Sequence, residues 1–350
     1  MSIPTMEGIR AQTVQSARLA TRVLFSGPDD GIPVVFVHGN ASSATFWEET
    51  MLALPDGFRG IAIDQRGFGD ADPAAKIDAT RGLGDLVEDL LALLEALSLK
   101  QAHFVGHSAG GSVLWRLLMD APEAVLTATL VCPGSPFGFG GTRADGSPVW
   151  DDFAGSGGGT VNPAFAQRIA AEDRSADDPM APRNVMLNFY FRQPFKPARE
   201  EELLSSLLST HTGPEDYPGD MTSSPNWPYV APGKMGLINA LTPAYQKPID
   251  ALYGLDAKPP ILWVRGAHDQ IVSDTSAFEM GFLGKIGAIP GYPGEDVYPP
   301  QLMVSQTRMV LEKYKASGGR YEELVLDAGH TPYLEQPEAF NAALHRWLQG

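Results

Sequence analysis

Short apolar blocks alternate with amphipathic stretches over the first 132 residues of the chain. Runs of apolar and β-branched residues, each followed by a polar turn, predict strands. These strands are expected at Arg10–Gln15, Leu19–Ser26, Pro33–Val37, Gly60–Ile63, His103–Gly106 and Leu126–Val131. Helical spacing of apolar residues predicts helices at Ala44–Leu54, Leu83–Leu97 and Ala109–Asp120. Strands that alternate with helices favour a mostly parallel sheet with helices on both faces.

This pattern stops at Pro133 and resumes at Pro260. The residues between them are rich in glycine, proline and acidic side chains. Helical periodicity is confined there to Asn162–Glu172, Asn184–Phe191 and Arg199–Leu208. Further on, the sequence predicts a strand in the run PILWV, a strand at Tyr321–Leu326 and a closing helix at Pro337–Leu348. We therefore expect an α/β core of residues 1–132 and 259–350, with residues 133–258 inserted as a mainly helical cap.

Composition narrows the range of partners. The chain carries 26 basic and 42 acidic residues, a formal charge of −16. Nucleic acids and anionic membranes select clustered Lys and Arg, so neither is expected as a partner. Cys132 is the single cysteine, which excludes an intrachain disulfide and a multi-cysteine zinc site. Because Met1–Arg10 does not resemble a signal peptide and no apolar stretch is long enough to span a bilayer, we expect a cytoplasmic protein. We expect neither a metal nor a cofactor. The sequence does not indicate an oligomeric state.

Candidate chemistry centres on Ser108, in the sequence Gly106-His107-Ser108-Ala109-Gly110. The segment joins an apolar strand pattern, HFVG, to a helix pattern, GGSVLWRLLM. A turn this tight leaves no space for side chains beside the serine, and it raises the hydroxyl above the carboxyl edge of the sheet. Ser108 is therefore the predicted nucleophile. The alternative is an ordinary glycine-rich turn with a capping serine.

A serine hydroxyl needs a base to act as a nucleophile near neutral pH. His330 stands in the loop that leaves the predicted strand Tyr321–Leu326, at the sheet edge where Ser108 is also expected. The acid should lie in the loop after PILWV. There Asp269 would fix the tautomer of His330, and Asp274 is the competitor. The predicted catalytic residues are Ser108, Asp269 and His330.

A catalytic serine also needs N–H donors that stabilise the oxyanion of the tetrahedral intermediate. One predicted donor is the backbone N–H of Ala109, directly after the nucleophile. The other is the backbone N–H of Asn40, in the turn His38-Gly39-Asn40-Ala41 that follows the strand PVVFV. We interpret His38 as a structural residue that holds this turn.

Together these segments resemble the α/β-hydrolase superfamily, in particular its capped branch of epoxide hydrolases, haloalkane dehalogenases and carboxylesterases. The likeness rests on HGNASSATFW, DQRGFGDAD, GHSAGG, GAHDQIV and AGHTPYLEQPEAF, within residues 30–132 and 259–350. It implies the α/β-hydrolase fold. Dehalogenases and epoxide hydrolases of this branch use an aspartate as nucleophile, whereas this chain has Ser108. The resemblance therefore implies hydrolysis of a small-molecule carboxylic ester, with lactones as a close variant.

Two other functions remain open from the sequence. A carbon–carbon bond hydrolase acting on a diketone-type acid would use the same three residues and would need a buried arginine, for which Arg192 has the most apolar setting in the cap. A non-catalytic binding protein on a hydrolase scaffold is the alternative from another class.

Aromatic residues of the cap and of a non-helical rim at Lys285–Pro300 are expected either to line an apolar substrate pocket or to pack the cap itself. The candidates are Phe137, Phe139, Trp227, Tyr229 and Tyr292.

Overall fold

The computed structural model describes residues 3–350 and contains one large sheet and two small ones. The strands are β1 Arg10–Gln15, β2 Ala20–Ser26, β3 Ile32–Val37, β4 Phe58–Ile63, β5 Ala102–His107, β6 Val125–Val131, β7 Thr212–Gly213, β8 Tyr217–Pro218, β9 Met221–Ser223, β10 Val230–Pro232, β11 Ile261–Gly266 and β12 Tyr321–Leu326. The large sheet has eight strands in the order β1-β2-β4-β3-β5-β6-β11-β12. Strand β2 runs antiparallel to β1 and β4, and the remaining neighbours are parallel.

Helices fill most of the connections. They are α1 Glu48–Leu52, α2 Gly84–Ala96, α3 Ala109–Asp120, α4 Pro163–Ala170, α5 Pro182–Val185, α6 Glu200–Leu208, α7 Leu237–Ala240, α8 Met280–Lys285, α9 Met303–Ala316, α10 Pro332–Glu335 and α11 Pro337–Leu348. Within residues 3–350, none of them combines the length and the apolarity needed to cross a membrane.

Each face of the large sheet packs against its own apolar cluster. On β3, Val35 and Val37 belong to the cluster that includes residues of α2, α3 and α9, whereas Val34 and Phe36 belong to the cluster that includes residues of α1 and α11. This alternation is the period of a strand covered on both sides. The central strands are therefore mostly buried, and the loops at their carboxyl ends meet over one edge of the sheet.

The strands of the large sheet agree with the predicted ones to within two residues at each end. The stretch predicted as one helix at Ala44–Leu54 is a 3₁₀ turn, Ala44–Trp47, followed by α1. Helix α9 was not predicted from the sequence. Two of its buried positions are the polar residues Gln306 and Thr307, which interrupt the apolar period that would reveal it.

The inserted segment, residues 133–258, is less helical than expected. It contains α4 to α7, the π-helical turn Met186–Tyr190 and the strand pairs β7–β8 and β9–β10, but most of its residues lie in loops. Its apolar side chains join the two clusters of the sheet: Phe165 and Leu204 pack with one, Leu237 and Ala240 with the other. The segment is therefore packed onto the core, and its division into a separate domain stays a prediction.

Acid should weaken the fold through His103, whose ring is buried at the start of β5. Burial lowers the pKa of His103 to about 4, whereas an unfolded histidine has a pKa of about 6.5. Between these values the unfolded chain binds a proton that the folded chain does not, so stability is full above about pH 6.5 and falls as the pH decreases toward 4.

Between pH 7.5 and pH 4.5, we expect the free energy of unfolding of the parent protein to fall by about 2 kcal/mol more than that of a His103→Gln variant. Urea unfolding of both proteins at the two pH values measures this difference. Equal losses in the two proteins would contradict it.

Candidate active site

Ser108 occupies a strained turn between β5 and α3. Its backbone has a φ of 54° and a ψ of −118°, a conformation that L residues rarely adopt. The turn requires small residues: a Cβ on Gly110 would lie 2.3 Å from the carbonyl oxygen of Val37, and one on Gly106 would lie 2.6 Å from the carbonyl oxygen of Gly110. The turn lifts the hydroxyl of Ser108 into a cavity above the sheet edge.

Asp269 and His330 form a buried hydrogen-bonded pair in the loops after β11 and β12. His330 Nδ1 lies 2.8 Å from Asp269 Oδ2. The other carboxylate oxygen, Oδ1, accepts the backbone N–H groups of Ile271 and Val272 at 2.8 and 3.0 Å. These two bonds fix the carboxylate plane, so Oδ2 holds the proton of the imidazole on Nδ1 and leaves Nε2 available as a base.

Asp274, the competing acid, has a different role. Its Oδ1 accepts the backbone N–H groups of Val304 and Ser305 in the first turn of α9, at 2.9 and 3.1 Å. The Ser305 hydroxyl donates to Oδ2 at 2.6 Å. Asp274 is therefore a cap of α9 and does not contact His330.

Ser108 and His330 line the same cavity, and His107 connects them. His107 Nε2 lies 2.7 Å from the carbonyl oxygen of His330, so its N–H donates to that carbonyl. Burial holds the pKa of His107 well below its usual range, which keeps the ring neutral. Across the described residues, the hydroxyl of Ser108 has no hydrogen-bond partner. A hydrogen bond between a catalytic hydroxyl and its base often forms only once substrate is bound.

The two residues predicted to supply oxyanion donors have backbone N–H groups without a backbone acceptor. Asn40 and Ala109 both line the cavity, and neither N–H donates to another backbone group of residues 3–350. Ala109 is also the first residue of α3, where the helix dipole favours negative charge. The structure thus brings together all five residues that the sequence singled out for catalysis and for the oxyanion.

His38 stabilises the turn that contains Asn40, residues 38–41, through hydrogen bonds. Its Nδ1 lies 2.7 Å from the carbonyl oxygen of Gly39, and its Nε2 accepts the backbone N–H of Gln65 at 3.0 Å. Burial lowers the pKa of His38 to about 4. A neutral ring with one donor and one acceptor satisfies both contacts, as a structural histidine should.

Tyr190, whose role was not predicted from the sequence, connects two loops of the site through hydrogen bonds. Its hydroxyl donates to the carbonyl oxygen of Ala41, 3.1 Å away, in the Asn40 turn. Its own carbonyl oxygen accepts the N–H and the hydroxyl of Thr331, the residue after His330, at 3.0 and 2.8 Å. Ala41 has a φ of 45°, so the turn is strained and needs such support.

We expect Tyr190→Phe to lower kcat about 10-fold with little change in KM, because a loosened Asn40 turn weakens only the contact to the oxyanion. Affinity for a boronic acid inhibitor should fall with kcat. Tyr314→Phe is the matched control, since Tyr314 also donates a buried hydroxyl to a carbonyl, that of Pro259 at 2.8 Å, outside the cavity wall. Equal kinetics for both variants would contradict a positioning role.

The cavity above Ser108 has a volume of about 410 Å³ and a mainly apolar wall. Of the aromatics predicted to line it, Phe139 does so. The cap contributes residues that were not predicted from the sequence: Phe165, Val185, Phe189, Tyr217, Ile238 and Leu241. The apolar faces of the predicted patches Asn162–Glu172 and Asn184–Phe191 contain three of these residues, and were the available signal.

The expectation is wrong for Phe137, Trp227, Tyr229 and Tyr292, which do not line this cavity. The ring of Phe137 packs against Gly146. Trp227 and Tyr292 pack edge to face, their ring centroids 5.3 Å apart, in a cluster between the inserted segment and the rim. Tyr229 is 60% exposed. These aromatics join parts of the protein to one another, the alternative that the sequence left open.

The wall contains no lysine, arginine, aspartate or glutamate among the residues that the structure describes. Arg192, the candidate anchor for an anionic substrate, lies outside it. Its guanidinium pairs with Asp327, and both side chains are well exposed. The cavity therefore suits an uncharged ligand.

One group of possible metal ligands overlaps this site. Cys132, Asp269 and His330 have ligand atoms within 4.8 Å of one another. Burial raises the pKa of the Cys132 thiol well above its usual range, and the nearby Asp269 carboxylate raises it further. A metal would need the thiolate and would break the bond between Asp269 and His330, so these residues fit a hydrogen-bonded pair better than a metal site.

A mostly parallel sheet with a serine in a strand-to-helix turn and a buried histidine–aspartate pair at the same edge defines an α/β hydrolase. The chain belongs to the α/β hydrolase fold family: the sequence model of that family matches residues 32–337.

Three relatives illustrate the similarity. The chain is 41% identical to the non-heme chloroperoxidase of Streptomyces lividans over 133 residues, 36% of this chain and 47% of that protein. It is 31% identical to carboxylesterase YbfK of Bacillus subtilis over 117 residues, 33% and 39% of the two chains. It is 26% identical to epoxide hydrolase A of Mycobacterium tuberculosis over 344 residues, 94% of each chain.

By sequence, the chain thus matches less than half the length of the first two relatives. The crystal structure of the Bacillus subtilis carboxylesterase matches with a TM-score of 0.58 at 18% identity, over 99% of this chain and 93% of that one. This likeness extends the shared fold to the inserted segment.

Proposed function

We propose that this α/β hydrolase cleaves an uncharged carboxylic ester, lactones included, through an acyl-enzyme on Ser108. The observation that carries the proposal is the pair of His330 and Asp269, 2.8 Å apart and buried, beside a serine in a strained turn. The pair supplies the base that a serine hydroxyl needs.

The mechanism follows from the positions of these groups. His330 Nε2 takes the proton of Ser108 while Oγ attacks the ester carbonyl, and Asp269 stabilises the imidazolium. The N–H groups of Asn40 and Ala109 donate to the oxyanion. The imidazolium then protonates the leaving alcohol, and a water molecule activated by His330 releases the acid from Ser108.

Serine at position 108 also separates this proposal from the reaction in the name of the mycobacterial relative. Epoxide hydrolases of the capped branch use an aspartate nucleophile, whose carboxylate forms an alkyl-enzyme ester. A serine alkoxide attacks a carbonyl carbon instead. The proposed reaction is therefore hydrolysis at a carbonyl.

Cleavage of a carbon–carbon bond in a diketone-type acid is the weaker candidate. It requires a cation that holds the carboxylate of the substrate, and the described cavity wall has none. The apolar, charge-free wall favours a neutral ester, because an unpaired carboxylate is costly to bury.

A panel of esters tests the proposal. We expect p-nitrophenyl esters of neutral acids to be cleaved with kcat/KM at least about 100-fold above that of anionic analogues of the same size. Arg192→Ala should leave neutral-ester turnover within about 2-fold, because exposed ion pairs contribute little. A fluorophosphonate probe should label Ser108. Inert neutral esters together with cleavage of an anionic diketone would overturn the proposal.

A further inference from the structure

Most polar side chains in the cavity wall are already bonded to the protein. The Ser135 hydroxyl donates to Gln306 at 2.6 Å and that of Thr160 to the carbonyl oxygen of Gly157 at 2.8 Å. The amide of Gln246 donates to the carbonyl oxygen of Ala240 at 2.7 Å. Such groups need nothing from a ligand.

Among the described residues of the wall, Asn40 Oδ1 is buried without a hydrogen-bond partner, and the hydroxyls of Ser112 and Tyr217, like that of the nucleophile, donate to no protein acceptor. Ser112 lies in the first turn of α3, where its hydroxyl can rotate toward the carbonyl oxygen of Ser108. It therefore does not require a ligand. Asn40 and Tyr217 have no such local option.

The free groups of Asn40 and Tyr217 lie together. Asn40 Oδ1 is buried without a partner, in the same turn as the proposed oxyanion N–H. Tyr217 comes from β8 in the inserted segment and is 4% exposed. Burial raises the pKa of Tyr217, while a hydrogen bond from the Asn40 side chain lowers it in part, so the two groups are adjacent and the phenol keeps its proton.

A buried acceptor without a partner is costly, of the order of 1–3 kcal/mol, unless a donor reaches it. The complement to a free amide oxygen beside a phenol that still has its proton to donate is a group that both donates and accepts a hydrogen bond. With no charged residue in the surrounding wall, that group is neutral. A hydroxyl meets all three requirements.

We propose that Asn40 and Tyr217 form a subsite for an uncharged hydroxyl group on the ester substrate. The proposal rests on the ester hydrolysis proposed above and adds a selectivity to it. The substrate hydroxyl donates to Asn40 Oδ1 and accepts from the Tyr217 hydroxyl, and its apolar remainder fills the cavity.

Matched esters test the subsite. Each p-nitrophenyl hydroxyalkanoate, with the hydroxyl moved one carbon at a time, is compared with an ester that carries a methyl group at the same carbon. We expect kcat/KM to favour the hydroxyl by about 10- to 100-fold at one or two positions. The same preference should appear in the dissociation constants of the Ser108→Ala variant.

Tyr217→Phe and Asn40→Leu should each reduce that preference to within about 3-fold of unity. Tyr253→Phe is the matched control, because it removes a buried tyrosine hydroxyl outside the cavity wall, and it should leave the preference unchanged. Thermal melting checks that all variants are folded.

Hydrolysis of neutral esters with no preference for any hydroxyl position would overturn the subsite and leave ester hydrolysis standing. A preference that survives Tyr217→Phe and Asn40→Leu would also overturn it. Absence of hydrolysis, together with no fluorophosphonate labelling of Ser108, would overturn the proposed function and the subsite with it.

Discussion

Replacing Ser108 with alanine is expected to lower kcat for neutral esters by at least about 10⁴-fold, because nucleophile, base and acid act as a unit and loss of the nucleophile removes nearly all of their contribution. The fold should persist. Alanine keeps the Cβ that already stands in the strained turn, and the backbone N–H of residue 108 still donates to the carbonyl oxygen of Val131, 2.8 Å away.

Ser98 offers a matched control for this experiment. It is a serine with a φ of 57°, exposed just after the end of α2 and outside the cavity. Ser98→Ala therefore makes the same chemical change at another serine with a positive φ and should retain full activity. The measurements are ester hydrolysis, fluorophosphonate labelling and thermal melting. Activity of Ser108→Ala within about 10-fold of the parent would show that the nucleophile lies elsewhere.

Asp269→Asn should lower kcat by about 10²–10⁴-fold. The reason lies in the two backbone N–H groups of Ile271 and Val272 that bind Oδ1. They hold the oxygen of the asparagine amide in the same place, so its NH₂ group faces His330 Nδ1. Nδ1 must then accept, the proton moves to Nε2, and the imidazole can no longer take the proton of Ser108.

Asp274→Asn is the control for this change. Asp274 caps α9, and asparagine is also a good cap, so kcat should stay within about 2-fold and stability should fall by less than about 1 kcal/mol. Steady-state kinetics and urea unfolding of both variants measure these effects. If Asp274→Asn were the inactive variant, the assignment of the acid would be wrong.

The core of this fold was predictable because its signals are local. Strands such as β3 and β6 are short apolar runs bounded by turn residues. The apolar run alone predicts such a strand, without knowledge of the strands beside it. Helix α9 was not predicted because one of its buried residues, Gln306, is polar. The Gln306 amide donates to Thr142 and its oxygen accepts from Ser135. Only the folded chain supplies those partners.

Ser108 and His330 follow from the sequence by itself, because each must stand just after a predicted parallel strand and the carboxyl ends of such strands share one edge; the same reasoning narrows the acid to Asp269 and Asp274. The choice between Asp269 and Asp274 became a matter of geometry, decided by which carboxylate meets the imidazole. The tertiary structure alone decided the cavity wall. A loop-rich inserted segment has no period that shows which of its aromatics face inward, so Tyr190 and Tyr217 became visible only where the chain packs over Asn40.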